Sequence, residues 1–312
     1  MRKLSSHAFH TVLAVLVAAG AACAADDGSD ATLDRTGTDA GPVTVAEFGV
    51  TMEPQDSIIF EERMAWAREQ RLDTLPIGAA VAALGRTFVG APYTPYTLEA
   101  EGPERLVVNL RELDCVTFVE NVLAMARILD AGTPDFDSFK RELVRIRYRD
   151  GVLTGYPSRL HYFSEWIANN EQKGIVNDVT ADLGGLVDPE DITFMTRNAE
   201  AYRQLADTTV VAAIREMELE LSGRDRHYIP QHAIDPIASD IQDGDIIAAT
   251  STLDGLDIAH TGFALWVDGR LHLMHAPLVG SVVEISERPL AERLQRINAQ
   301  DGIMVARPRP AS

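Results

Sequence analysis

Two hydrophobic periods divide this chain. Residues 58–69 and 75–88 carry apolar side chains three and four positions apart, and a turn-like segment at 89–93 follows the second run. The strongest helical pattern spans 113–129. Val116, Val119, Val122, Leu123 and Ala126 share one face there, with Thr117, Glu120, Asn121 and Arg127 largely opposite. Helical spacing resumes at 139–147, after the Thr133-Pro134 break, and again at 162–169, 190–205 and 210–221. Beyond residue 244 the period shortens. Segments 245–250, 260–267, 271–275 and 282–285 are runs of β-formers separated by Gly and Asp turns. Asp268-Gly269 between two of them predicts a tight hairpin. A helix at 290–297 and a strand at 303–306 close the pattern. Helices first and antiparallel strands afterwards make an α+β fold, not an alternating one. No repeat is visible, and neither part buries its apolar face without the other. Residues 48–312 therefore read as one domain.

The 47 residues before that domain carry no such pattern. Within residues 1–25, Arg2 and Lys3 precede an apolar stretch around Val12 to Val17 and then small residues. That stretch is shorter than the roughly 20 residues a bilayer span needs, so it predicts a cleaved export signal. Ala22-Cys23-Ala24 suits ordinary cleavage. Gly20-Ala21-Ala22-Cys23 suits a lipoprotein box in which lipidated Cys23 becomes a membrane attachment, with Gly20 where Leu is usual. Residues 26–47 are rich in Asp, Gly, Thr and Ala and predict a flexible acidic linker. The protein is thus expected to be exported, either free in the periplasm or anchored as a lipoprotein. Its net charge of −19 argues against nucleic acid, because phosphate binding needs clustered Lys and Arg.

Export changes the meaning of the two cysteines. Cys23 is removed or lipidated, which leaves Cys115 unpaired in an oxidising compartment. It is then either an inert buried side chain or a reactive one. Cys115 heads the best helix, where free amide groups favour a thiolate. Asp114 before it is a natural helix cap, and its charge opposes the thiolate. A thiol nucleophile needs a base within reach. His260 opens a strand, and His272 and His275 lie across the hairpin with opposite parity. Leu271, Leu273 and His275 fall together, so His275 takes the buried side that meets His260. A zinc site built from His260, His272 and His275 with a carboxylate is the rival chemistry, without the His-Glu-x-x-His pattern that would support it.

The segments Leu113-Asp114-Cys115-Val116-Thr117-Phe118-Val119-Glu120, Asp243-Gly244-Asp245-Ile246-Ile247, His260-Thr261-Gly262-Phe263 and His275-Ala276 occur in that order. Together they resemble the NlpC-type papain-like cell-wall hydrolases. Three further segments point to the N-acetylmuramoyl-L-alanine amidase-like branch. They are Tyr96-Thr97-Leu98-Glu99, Ser158-Arg159-Leu160-His161-Tyr162-Phe163 and Gly255-Leu256-Asp257-Ile258. The resemblance covers residues 75–307. It implies a papain-like fold, Cys115 as nucleophile, His260 as general base and His275 as the group orienting it, with His272 the alternative orienter. It places Ser158, Arg159, Tyr96 and Glu99 along the substrate groove, where the paired donors of Arg159 suit an anionic group of the stem peptide; His161 reads as structural. It implies no metal or cofactor, and peptidoglycan fragments (muropeptides) as partners. The implied bond joins muramic acid to L-alanine. Endopeptidases cutting after γ-D-glutamate share these motifs, as would an acyltransferase or a wall-binding protein that had kept the fold without catalysis.

Overall fold

The computed structural model describes residues 49–311. The expected export signal at 1–25, the linker at 26–47 and Cys23 lie outside the described residues.

Strand β1 (Val50–Thr51) leads into helix α1 (Pro54–Glu69), which starts four residues earlier than its apolar spacing suggests. Pro54 in the first turn and a reciprocal cap between Glu53 and Asp56 set that start. Helix α2 (Ile77–Arg86) and strand β2 (Leu106–Val107), parallel to β1, follow. Helix α3 (Cys115–Asp130) is the centre of the molecule. Asp114 caps it by accepting the Thr117 N–H at 2.7 Å, while its own N–H donates to Thr117 Oγ1 at 2.9 Å. Its expected polar side does not face water. Thr117, Glu120, Asn121 and Arg127 are all buried, because α4 (Phe136–Arg147) and α5 (Phe163–Gln172) pack against that side and supply partners. Arg147 donates to Glu120 at 2.7 Å, and Trp166 Nε1 donates to the same carboxylate at 3.2 Å. Arg127 pairs with Glu142 and reaches the carbonyl of Arg309 at 2.6 Å, tying the C-terminal tail to the helix.

Short strands β3 (Val176–Asp178) and β4 (Leu186–Asp188) precede the one clear departure from the helical pattern. The continuous helix expected over 190–205 is instead α6 (Phe194–Arg197) and two single turns at Ala199–Ala201 and Arg203–Ala206. Asn198 ends α6 by donating its side-chain amide to the Phe194 carbonyl at 2.8 Å, and the backbone leaves the helical region at Asn198 and Tyr202. A short polar side chain competing for backbone groups overrides spacing here. Helix α7 (Thr208–Ser222), strand β5 (Arg226–Pro230) and helix α8 (Ile234–Ile237) complete the middle of the chain.

The last third supplies β6 (Ile246–Ser251), β7 (Ile258–Val267), β8 (Arg270–His275), β9 (Glu284–Ile285), helix α9 (Leu290–Leu294) and β10 (Gln300–Pro308). The main sheet runs β4-β5-β10-β6-β7-β8-β9, with β3 also on β10, and its pairings are antiparallel. Asp268 and Gly269 both have positive φ, as the hairpin between β7 and β8 requires. One face of the sheet, including Ile246, Ala248, Phe263, Leu265 and Met274, packs with α2, α3 and α4. The other, including Ala249, Ala264, Leu271, Leu273 and Ile303, packs with α9. Phe118 on α3 meets Phe263 on β7 edge to face at 5.4 Å, which fixes the start of α3 against that strand.

Candidate active site

Cys115 is the first residue of α3 and a free, half-buried thiol. The backbone N–H groups of Thr261, Val116 and Cys115 itself are directed at its sulfur and favour the thiolate. They do not prevail. Burial, reinforced by the charge of Asp114, pushes the thiol up to about 12. Thr261 follows His260 directly in β7, so the sulfur meets that strand at the residue next to the base candidate.

His260 is half-buried and its Nε2 lies 2.7 Å from Nδ1 of His275, with the two rings at 85°. That contact uses one of its two ring nitrogens. Burial, with the Arg293 guanidinium, holds His260 down to about 3. Burial again, then His260 and Arg293, holds His275 to about 2. Both rings are neutral at ordinary pH. His275 is 1% exposed, its Nε2 has no hydrogen-bond partner, and Glu284 Oε1 lies 3.6 Å from that nitrogen. His272 takes the opposite side of β8, where its Nδ1 meets the Ser286 carbonyl at 2.7 Å. The three histidines do not converge. Among the described residues, no group of three or more His, Cys, Asp or Glu side chains is placed to hold a metal ion.

Glycine makes the histidine pair possible. A Cβ at Gly262 would sit 2.6 Å from the Met274 carbonyl oxygen and 2.8 Å from Cβ of His275. Its bare backbone is what lets His275 close on His260. The other motif residues around the strand are supports. Asp257 accepts the N–H of Ser164 and of Ile258, each at 2.7 Å, fixing the beginning of β7 to α5. Asp245 takes both donors of Arg307, at 2.9 and 2.8 Å. Gly244, at φ +82, passes so close to α2 that a Cβ would lie 2.1 Å from the Gly78 carbonyl oxygen.

The expected groove residues divide. Tyr96 is 41% exposed and holds a left-handed backbone at φ 60. Its loop is joined to the helix cap through Thr97, whose hydroxyl donates to Asp114 at 3.2 Å. Glu99 is partly exposed and accepts from Gln204 at 2.8 Å. Arg159 faces inward. Its guanidinium is committed to Glu99, to the Leu98 carbonyl at 2.8 Å and to Glu104 at 3.7 Å, and it lies over the Tyr156 ring. Ser158 is buried, donating to the Gly155 carbonyl at 2.7 Å and accepting the Thr154 N–H at 3.0 Å. Neither side chain projects toward solvent. His161, read as structural, has Nε2 at 2.8 Å from the Tyr156 carbonyl oxygen, and burial holds it well below its ordinary pKa. Sequence spacing missed Tyr93. Its phenol is pushed up by burial and then by the charges of Cys115, Asp114 and Tyr96, which places it beside the thiol. The Pro92-Tyr93-Thr94-Pro95 turn was the only sign of it in the sequence.

The family model AmiA-like, described as N-acetylmuramoyl-L-alanine amidase-like, matches residues 83–303. Among solved structures, an N-acetylmuramoyl-L-alanine amidase from Bacteroides uniformis is 39% identical. It superposes with a TM-score of 0.71 over 75% of this chain and 99% of its own. A putative xylanase from Bacteroides fragilis is also 39% identical, with a TM-score of 0.67 over 72% of this chain and 98% of its own. A Legionella pneumophila protein of the DUF1460 family model shares the fold at 21% identity, with a TM-score of 0.59 over 82% of this chain and 98% of its own. No curated protein matches.

Proposed function

Because the chain belongs to the AmiA-like family of N-acetylmuramoyl-L-alanine amidase-like peptidoglycan hydrolases, we propose that it cleaves the amide joining N-acetylmuramic acid to L-alanine, with Cys115 as nucleophile. The observation that carries the reading is the meeting of Cys115 with strand β7, where the N–H of Thr261 addresses the sulfur and the adjacent His260 is held by His275. A lone buried thiol needs none of this. The combination of helix-start cysteine and paired histidines is also what the NlpC-type papain-like arrangement would supply.

The chemistry follows from the charge states. A thiol raised to about 12 beside an imidazole lowered to about 3 rests as a neutral pair. Proton transfer therefore accompanies attack. Sγ bonds to the lactyl carbonyl carbon as its proton passes to His260 Nδ1. Backbone N–H groups at the start of α3 receive the oxyanion, a contribution of ~10²–10³ per donor in comparable sites. The C–N bond then breaks, and His260 returns the proton to the L-alanine nitrogen. Water attacks the thioester with His260 as base, releasing the muramoyl carboxylate and restoring the thiol.

Tyr96 and Glu99 are the rim residues that meet the glycopeptide, and Tyr93 lines the same cleft beside the sulfur. Ser158 and Arg159 act on substrate through the loop they hold. Export, with Cys23 as a lipid attachment in the anchored form, would put the site where muropeptides are. The test is turnover of a purified muropeptide by the full chain and by Cys115→Ser, with products weighed by mass spectrometry. A free peptide beginning with L-alanine, made by the native chain and lost in the variant, is the expected result. A cut after γ-D-glutamate would move the activity to the endopeptidases, and unchanged turnover by Cys115→Ser would remove the cysteine from the mechanism.

A further inference from the structure

The histidine pair raises a question of proton placement that the pair does not answer. His260 Nε2 and His275 Nδ1 share one proton across 2.7 Å. Two neutral arrangements are open. In one, His275 Nδ1–H donates to His260 Nε2, which leaves the His260 proton on Nδ1, the nitrogen that the proposed mechanism assigns to the thiol; that ring is no base for Cys115. In the other, His260 donates through Nε2–H and keeps a lone pair on Nδ1. His275 must then carry its own proton on Nε2.

The structure shows what surrounds that outer nitrogen. His275 Nε2 is buried and unpartnered, and a buried donor without an acceptor is costly. Glu284 stands directly opposite His275 in the β8–β9 pairing, with Oε1 3.6 Å from Nε2. Its other oxygen, Oε2, lies under Gly280, where a Cβ would come within 3.2 Å of it. A carboxylate in this position attracts an N–H and repels a lone pair. A second charged group facing the cluster is Arg293 of α9, which acts on both rings and on Glu284. A guanidinium has no lone pair to accept a proton, so it offers nothing to the Nε2–H of His275.

We propose that Glu284 is a positioning residue that selects the working tautomers. By accepting the Nε2–H of His275, it obliges Nδ1 of His275 to accept from His260 and so leaves Nδ1 of His260 bare toward Cys115. The contact shortens from its present 3.6 Å through the half-exposed glutamate side chain, with no movement of the strands. Two rings and a carboxylate then form a relay in which only His260 touches the reacting atoms. The inference rests on the Cys115–His260 reading above.

Two measurements test it. In the full chain with ¹⁵N-labelled histidine, the imidazole shifts report which nitrogen of His275 and of His260 is protonated at neutral pH. Protons on Nε2 of both rings are expected; protons on Nδ1 of both would overturn the proposal. Kinetics on a muramoyl tripeptide compare Glu284→Ala with Glu284→Gln, whose amide oxygen still accepts. Glu284→Ala should lower kcat about tenfold or more with KM little changed. The effect should fall short of the ~10⁴ seen when a carboxylate bonded directly to the catalytic ring is neutralised. Glu284→Gln should recover most of the loss. Full kcat in Glu284→Ala, or equal losses in both variants, would overturn the role. Cys115→Ser run alongside separates the two readings: its full activity would remove the reaction itself, whereas the ¹⁵N shifts stand without any turnover.

Discussion

Nε2 of His260 and Nδ1 of His275 lie 2.7 Å apart, with the rings nearly perpendicular. This contact fixes the ring of the base candidate through one nitrogen and leaves its other nitrogen, Nδ1, outside the pair. His275→Ala should therefore lower kcat by about 10²-fold or more. His272→Ala should leave kcat nearly unchanged, because that ring is turned to the Ser286 carbonyl. Steady-state kinetics of the two variants on one muropeptide checks the ranking.

Gly262→Ala should mimic the loss of His275. The added methyl would meet the Met274 carbonyl oxygen at 2.6 Å and Cβ of His275 at 2.8 Å, both fixed by the β8 backbone, so the strand that carries His275 has to shift. A loss of about 1–3 kcal/mol in urea unfolding should accompany the drop in kcat, as for other overpacked sites.

The state of the sulfur can be read by alkylation. With Cys115 pushed up to about 12 by burial and Asp114, iodoacetamide should react slowly at pH 7 and faster as pH rises through the alkaline range. Asp114→Asn should raise the rate at fixed pH while keeping a capping side chain. Mass-spectrometric timing of the adduct measures both.

Acid should weaken the fold through the same pair. His260 is held at about 3 and His275 at about 2, against ~6.5 in an unfolded chain. The unfolded state binds more protons below that value, so stability falls as pH drops from about 6.5 toward 3. Tm should decline over this window, and the decline should be shallower in His275→Asn. With His260 as the proposed base and held at about 3, activity should persist at pH 5 as long as the fold does.

Arg159→Lys keeps a charge and loses the fork that joins Glu99 to the Leu98 carbonyl. KM should rise more than kcat falls, since the variant loosens the Tyr96 loop and leaves the sulfur alone. Arg159→Met should also cost about 3 kcal/mol in stability, toward the low end for a broken buried pair because Glu99 is partly exposed.

Much of this site was legible from residue order. The helix beginning at Cys115, the hairpin at Asp268-Gly269 and the parity that separates His272 from His275 are local consequences of spacing and turn chemistry, and each is present in the fold. Partners distant in sequence were not legible. Glu120 sits on the polar stripe of α3, and nothing near it in the chain foretells Arg147 or Trp166 closing over it. Arg159 reads as a groove residue with free donors until Glu99, 60 residues earlier, is brought against it. The broken segment after residue 190 misled for a different reason: apolar spacing continues across it, while one asparagine amide ends the helix.

The tether between Arg127 and the C-terminal tail has a practical corollary. Arg127 holds the carbonyls of Arg309 and Pro310 at 2.6 and 3.3 Å, and Asp130 receives the N–H of Ala311 at 2.7 Å. These last residues close a ring onto the helix whose opposite end bears Cys115. Clipping them would leave the buried Arg127 with Glu142 but without the carbonyls that its Nη1 donates to, so fusion partners and affinity handles are safer kept away from that end.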